Sequence, residues 1–171
     1  MLRNLASSLI LTERDAEMDD NAPKVKGRVV TTLEKAKEVR PLVEKCVTLA
    51  RRAQDHISAA RQFASTADRN SDEWKKWRHS DAWEKWCNTL APALAMRRRA
   101  LRLLGDKQAV SVLFETLGPR FADRDGGYTR VLRLANPRLG DAGTRAVLEF
   151  VGKNDRVKQR SERPAFEGAS D

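Results

Sequence analysis

Gly118-Pro119-Arg120-Phe121-Ala122-Asp123-Arg124-Asp125-Gly126-Gly127-Tyr128-Thr129-Arg130-Val131-Leu132 reads as a helix end, a sharp turn and the start of a strand. Gly118-Pro119 closes a helical stripe of Val110, Leu113, Phe114 and Leu117. Gly126 and Gly127 let the backbone turn tightly and approach another surface closely. Arg120, Arg124 and Arg130 flank that turn with fixed charge and planar donor forks that suit phosphate. The stretch therefore predicts a turn that docks a polyanion, with no catalytic step. Tyr128 to Leu134 and Ala146 to Val151 are strand-like and are joined by a loop holding Pro137 and Gly140, which predicts a C-terminal β-hairpin. Tyr128 suits two roles equally, stacking on RNA or covering the core.

Upstream the chain is mostly helical. Leu2, Leu5, Leu9 and Ile10 share one face and predict a first helix from about Leu2 to Glu13. Residues 15–28 break that pattern with acidic, Asn, Pro and Gly residues and read as a loop. The β-branched run Val29 to Thr31 predicts a short strand, and Thr31 with Glu34 predicts a capping box for the next helix. That helix carries Val39, Leu42, Val43, Cys46, Leu49 and Ala50 to about Ala53, with a kink expected at Pro41. Residues 54–91 hold all four tryptophans. Start signals before Trp74 and before Trp83 predict two short helices that fold the pairs Trp74/Trp77 and Trp83/Trp86 together. Pro92 is placed as the first residue of the following helix, which Gly105 ends, and Asp106 caps another. The tail from Gly152 is charged and nearly free of aromatics and reads as disordered.

The chain has 171 residues and 40% hydrophobic composition, enough for one domain with a core, expected over 1–151. Its 33 basic and 24 acidic residues give a net charge of +9, which points to nucleic acid or an anionic surface. The excess is not spread evenly. Residues 15–28, 54–91 and 152–171 together hold 14 basic and 14 acidic groups, leaving 19 basic against 10 acidic in the rest. No apolar run approaches the roughly 20 residues that span a bilayer, and the first residues lack a secretory signal, so a cytoplasmic location is expected.

Catalysis is not indicated. Cys46, Cys87, His56 and His79 lack the spacing of a metal site, and the two cysteines read as buried or half-buried thiols. Ser7, Ser8, Thr31, Thr32 and Thr129 have no base placed by a motif. Asp123, Asp125 and Asp141 read as turn caps and arginine partners. No cofactor, metal or small-molecule substrate is expected. The Gly126-Gly127 pair lacks the lysine and the spacing of a nucleotide loop.

Four blocks, in order, resemble the bacterial ribosomal large-subunit protein L17 family. They are Met1-Leu2-Arg3-Asn4-Leu5-Ala6-Ser7-Ser8-Leu9-Ile10, Thr31-Thr32-Leu33-Glu34-Lys35-Ala36-Lys37-Glu38-Val39-Arg40-Pro41, the turn and strand from Pro119 to Leu132, and Arg138-Leu139-Gly140-Asp141-Ala142 with Ala146 to Val151. The resemblance implies an α+β fold, with several helices on a small mixed sheet of one short strand plus the hairpin. Against that pattern 15–28 and 54–91 read as insertions, 152–171 as an extension, and the family's basic leader as absent before Met1. It further implies a structural constituent of the large subunit that binds 23S-type rRNA beside neighbouring ribosomal proteins, with no enzymatic step. The residues expected at RNA are Arg3, Asn4, Thr32, Lys35, Lys37, Arg97, Arg98, Arg99, Arg120, Arg124, Gly126, Gly127, Tyr128, Thr129, Arg130 and Arg138. The competing expectation is a non-ribosomal helical interaction module, or another nucleic-acid-binding protein, with its Trp-bearing segment as the docking site.

Overall fold

A computed structural model describes residues 1–16 and 19–152. The expectation for the tail lies outside these residues beyond Gly152. In chain order the elements are α1 (Leu2–Leu11), β1 (Arg28–Thr32), α2 (Leu33–Arg61), α3 (Asp72–Arg78), α4 (Asp81–Leu104) and α5 (Lys107–Val112). A π-helical turn (Leu113–Leu117) and a last helical turn, α6 (Gly118–Arg120), lead to β2 (Thr129–Arg133) and β3 (Arg145–Phe150). The class is α+β, as expected.

The sheet has the order β1-β3-β2 and both pairs are antiparallel, so it is not mixed. β3 returns from the hairpin and inserts between β2 and β1, which makes it run against both. Because side chains alternate across a sheet, Val29, Leu148 and Val131 form a row on one face, packed with the core. The next row, Val30, Val147 and Leu132, lies on the opposite face, where Val30 and Leu132 are exposed.

The core is organised by α2. Ala36, Val39, Val43, Cys46, Val47, Ala50 and Ala53 are fully buried and repeat at helical spacing. They belong to one cluster with Leu9 and Ile10 of α1, Leu113 and Leu117 of the π turn, and the rings of Phe121, Tyr128 and Phe150. Phe121 lies 5.2 Å from Tyr128 and 6.2 Å from Phe150 between ring centroids. At the π turn a backbone carbonyl leaves the regular helical ladder, and Gln54 Nε2 donates to the Phe114 carbonyl at 2.9 Å. Gly118 sits against the same side chain: a Cβ there would meet Gln54 Nε2 at 2.5 Å and the Ala50 carbonyl oxygen at 3.3 Å, so a larger residue would push the Gln54 amide from its place.

The helix expected to close at Gly118-Pro119 instead continues through the π turn into α6, and three further expectations change. The Thr31 capping box does not form, because β1 extends to Thr32 and pairs Thr31 with Ala146. Helix α2 starts one residue later, with no side-chain cap, and its Leu33 N–H donates to the Thr144 carbonyl at 3.0 Å. Second, α2, which holds Pro41 inside it as expected, runs past Ala53 to Arg61. Third, Pro92 does not start a helix and the second Trp-bearing helix is not short: α4 runs from Asp81 through Pro92 to Leu104. An internal proline costs roughly 3 kcal/mol in a helix. Packing on α2, the largest helix–helix contact of the fold, offsets that cost: Ala93 and Ala100 are buried in the core while the ring of Pro92 stays outside. The Gly105 and Asp106 expectations hold. Gly105 has φ +77 and closes α4, and Asp106 accepts from the Gln108 and Ala109 N–H groups at 2.8 and 3.3 Å.

The tryptophans pack together at the far end of α2 and α4. Ser71 caps α3 by accepting from Trp74 N–H at 3.1 Å. Trp77 lies edge-on to Trp83 and Trp86, at 5.0 and 5.8 Å, and Trp83 stacks on Trp86 at 5.1 Å. Arg78 sits over both Trp74 and Trp83, at 5.2 and 5.1 Å. All four rings are half-buried.

Candidate nucleic-acid interface

The residues expected at RNA fall into three groups that reach the surface and one whose members are buried or held by the protein's own carboxylates. The first group lies along the second half of α4. From Lys85 to Gly105 the sequence contains no acidic residue, so nothing in that stretch of the helix neutralises Arg97, Arg98, Arg99 and Arg102. Arg98, Arg99 and Arg102 are exposed. Arg3 of α1 reaches the same end of the helix, donating from Nη2 to the Arg102 carbonyl, with Asn4 exposed beside it in sequence. Arg97 is more constrained: its Nη2 donates to Ser111 Oγ at 2.9 Å and its guanidinium lies 5.7 Å from the Phe114 ring centroid. Lys107, which sequence reasoning passed over, joins Arg97 and Arg98 around a groove between α4 and α5.

The second group surrounds the double-glycine turn. Gly126 and Gly127 have φ of +154 and +64, conformations that side chains with a Cβ rarely adopt. A Cβ on either would meet nothing within 4 Å, so the glycines serve the turn's shape and not close packing. Arg124 Nε donates to the Gly126 carbonyl at 3.3 Å and Lys37 lies across a shallow hollow from Gly127. The organiser of this turn is Glu44 of α2. Its carboxylate accepts from Tyr128 N–H at 3.1 Å, from Thr129 N–H at 2.9 Å and from the Thr129 hydroxyl at 2.6 Å, with Arg40 Nε at 3.9 Å. The Arg40/Glu44 spacing of four on a helix was a signal in the sequence; the contact of Glu44 with a turn 85 residues later was not.

The third group lies at the sheet's β1 side, where Thr32, Lys35, Arg138 and Arg145 line one hollow. Arg138 forms a two-pronged pair with Asp141, through Nε at 2.9 Å and through Nη2. That pair and the Gly143 N–H at 3.2 Å hold the Asp141 carboxyl well below the usual carboxylate range. Both side chains are exposed, so the pair shapes the hairpin loop and leaves Arg138 only partly available.

The fourth group is either buried or engaged by the protein's own carboxylates. Tyr128 is 1% exposed and Thr129 2%, so both side chains belong to the core. Arg120 is clamped: Nη1 donates to Glu13 Oε1 at 2.7 Å, Nη2 to the Val151 carbonyl at 2.9 Å, and its guanidinium lies 5.3 Å from the Phe121 centroid. Arg130 pairs with buried Glu149 at 2.5 Å, and Arg28 holds the other carboxylate oxygen at 3.2 Å. The register puts these three directly opposite one another across β1, β3 and β2, a charge row that ties the sheet together.

Residues 1–151 match the family model described as ribosomal protein L17. That match runs through both segments read as insertions. The chain is 61% identical over 167 residues to the large ribosomal subunit protein bL17 of Rhodopirellula baltica, covering 98% of this chain and 80% of that protein. It is 34% identical to the bL17 of Solibacter usitatus, covering 95% and 77%, and 36% identical to that of Enterococcus faecalis, covering 88% and 87%.

Proposed function

The chain belongs to the ribosomal protein L17 family, structural and non-enzymatic components of the bacterial large ribosomal subunit, and we propose that it binds large-subunit rRNA through the arginine surface of α4 and α1. The observation that carries this reading is the contrast in how the arginines are used. Arg120, Arg130 and Arg28 are engaged by carboxylates and carbonyls of the protein itself. Arg98, Arg99 and Arg102 stand exposed on a helix stretch without a single acid, with Arg3 alongside. Exposed guanidinium groups of one sign, set on a rigid helix, suit the phosphates of a folded RNA.

Lys37, Arg124 and the backbone of Gly126-Gly127 form a second contact, and Thr32, Lys35, Arg138 and Arg145 a third. Neighbouring ribosomal proteins complete the surroundings, and the ribosome-bound chain resides in the cytoplasm. Residues 15–28 and 54–91, which carry no basic excess, are elaborations of a single domain over 1–151, outside the main RNA surface. Binding of the full chain to protein-free large-subunit rRNA tests this reading. With about six phosphates neutralised, affinity falls on the order of a thousandfold between about 50 and 200 mM salt. An affinity indifferent to salt contradicts it.

A further inference from the structure

We propose that the groove between α4 and α5 takes up one unpaired nucleotide of the bound RNA, its base on an apolar floor and its phosphate on a cationic rim. The inference rests on the reading that this chain binds rRNA. Leu94, Leu101 and Val110 form the floor, and Arg97, Arg98, Lys107 and Ser111 form the rim; among the described residues no carboxylate lines the groove. Leu94 is 45% exposed although it sits on a well-formed helix, which leaves apolar surface open at the groove's mouth. Arg97 is fixed in advance by Ser111 Oγ at 2.9 Å and by the face of Phe114, so it loses little freedom when it meets an anion.

Two features favour a nucleotide that has left its helix. A paired stem presents phosphates and riboses and needs cations alone, whereas an extruded base needs an apolar surface beside them. The positive surface also continues past the groove through Arg99, Arg102 and Arg3, so the occupant belongs to a chain with repeated negative charge. An acidic peptide would match the rim but not that extent.

The test uses the full chain and two fluorescent RNAs, a mixed-sequence single strand and a fully paired hairpin, with fluorescence anisotropy as the readout. Leu94→Asn removes floor without changing charge, at an exposed position that the core does not use. It weakens single-strand binding about tenfold, leaves stem binding within about twofold, and keeps the salt slope unchanged. Arg98→Ala, by contrast, lowers the salt slope by about one for both RNAs. Equal effects of Leu94→Asn on the two RNAs, or none on either, would overturn the groove assignment and leave rRNA binding standing. So would an acidic peptide that displaces neither RNA yet loses affinity on Leu94→Asn. Failure to bind either RNA would remove the broader reading and the groove with it.

Discussion

At the scale of single residues, Glu44 does more than any arginine to shape the turn that dominates the sequence. One carboxylate of α2 satisfies two backbone N–H groups and a buried hydroxyl at the entry to β2. Hydrogen bonds to a charged acceptor are the stronger kind, and their donors lie at buried residues, so Glu44→Ala strands them. We expect a loss of about 2 to 4 kcal/mol in urea unfolding, with rRNA binding by the folded fraction reduced far less than stability. The turn itself was legible in the glycine pair, because only that residue type permits those backbone angles. Its partner was not, since nothing local marks which glutamate of a long helix will face a strand 85 residues away. The same limit explains Arg120 and Arg130: an arginine bound for an internal carboxylate and one bound for phosphate look alike in sequence. A further residue-level outcome concerns the thiols. Burial pushes the Cys46 thiol up to about 11 from 9.0, whereas Cys87 is only half-buried. A raised folded-state value means that stability from this group is intact below 9.0 and is lost progressively as pH rises through about 11. At pH 8 a thiol reagent therefore labels Cys87 in the native protein and reaches Cys46 only on unfolding, which mass spectrometry of the labelled peptides reads directly.

At the scale of elements, apolar periodicity found the stripe of α1, the core face of α2 and both strands of the hairpin, because burial selects residues at those spacings. Boundaries failed where tertiary contact overrode local preference. Pro92, expected at a helix start, sits inside α4 with its ring outside and Ala93 and Ala100 inside, so packing against α2 outweighs the missing hydrogen bond. The tryptophan folding was legible for a different reason: four large rings in a charge-balanced segment call for shielding, and two folded helices supply it locally. The structure joins Trp77, Trp83 and Trp86 in mutual contact and anchors Trp77 Nε1 to the Phe63 carbonyl at 3.0 Å. Trp77 is the ring common to two edge-on pairs and the one that holds the turn after α2, so Trp77→Ala loosens this tip. Hydrogen exchange should show protection lost over 62–83 while the core face of α2, from Val39 to Ala53, keeps its protection. Loss across both regions would mean that the tip and the core unfold as one unit.

At the scale of the whole molecule, the division of charge already present in the sequence acquires a shape. The two segments read as insertions, together with the tail, carry no net charge, so the +9 belongs to the remaining residues. Within those, buried carboxylates such as Glu149 claim part of the arginine, and the unclaimed part concentrates on α4 and α1. The most direct measurement is a matched comparison of rRNA affinity between two triple variants that each remove three positive charges. In one, Arg98, Arg99 and Arg102 become alanine; in the other, Lys75, Lys76 and Lys85 near the tryptophans do. At about 150 mM salt the first should bind large-subunit rRNA at least about thirtyfold more weakly than the unmodified chain and the second within about threefold, with circular dichroism of both unchanged. Equal losses from the two triples would contradict a localised arginine surface and reduce the binding to net charge alone.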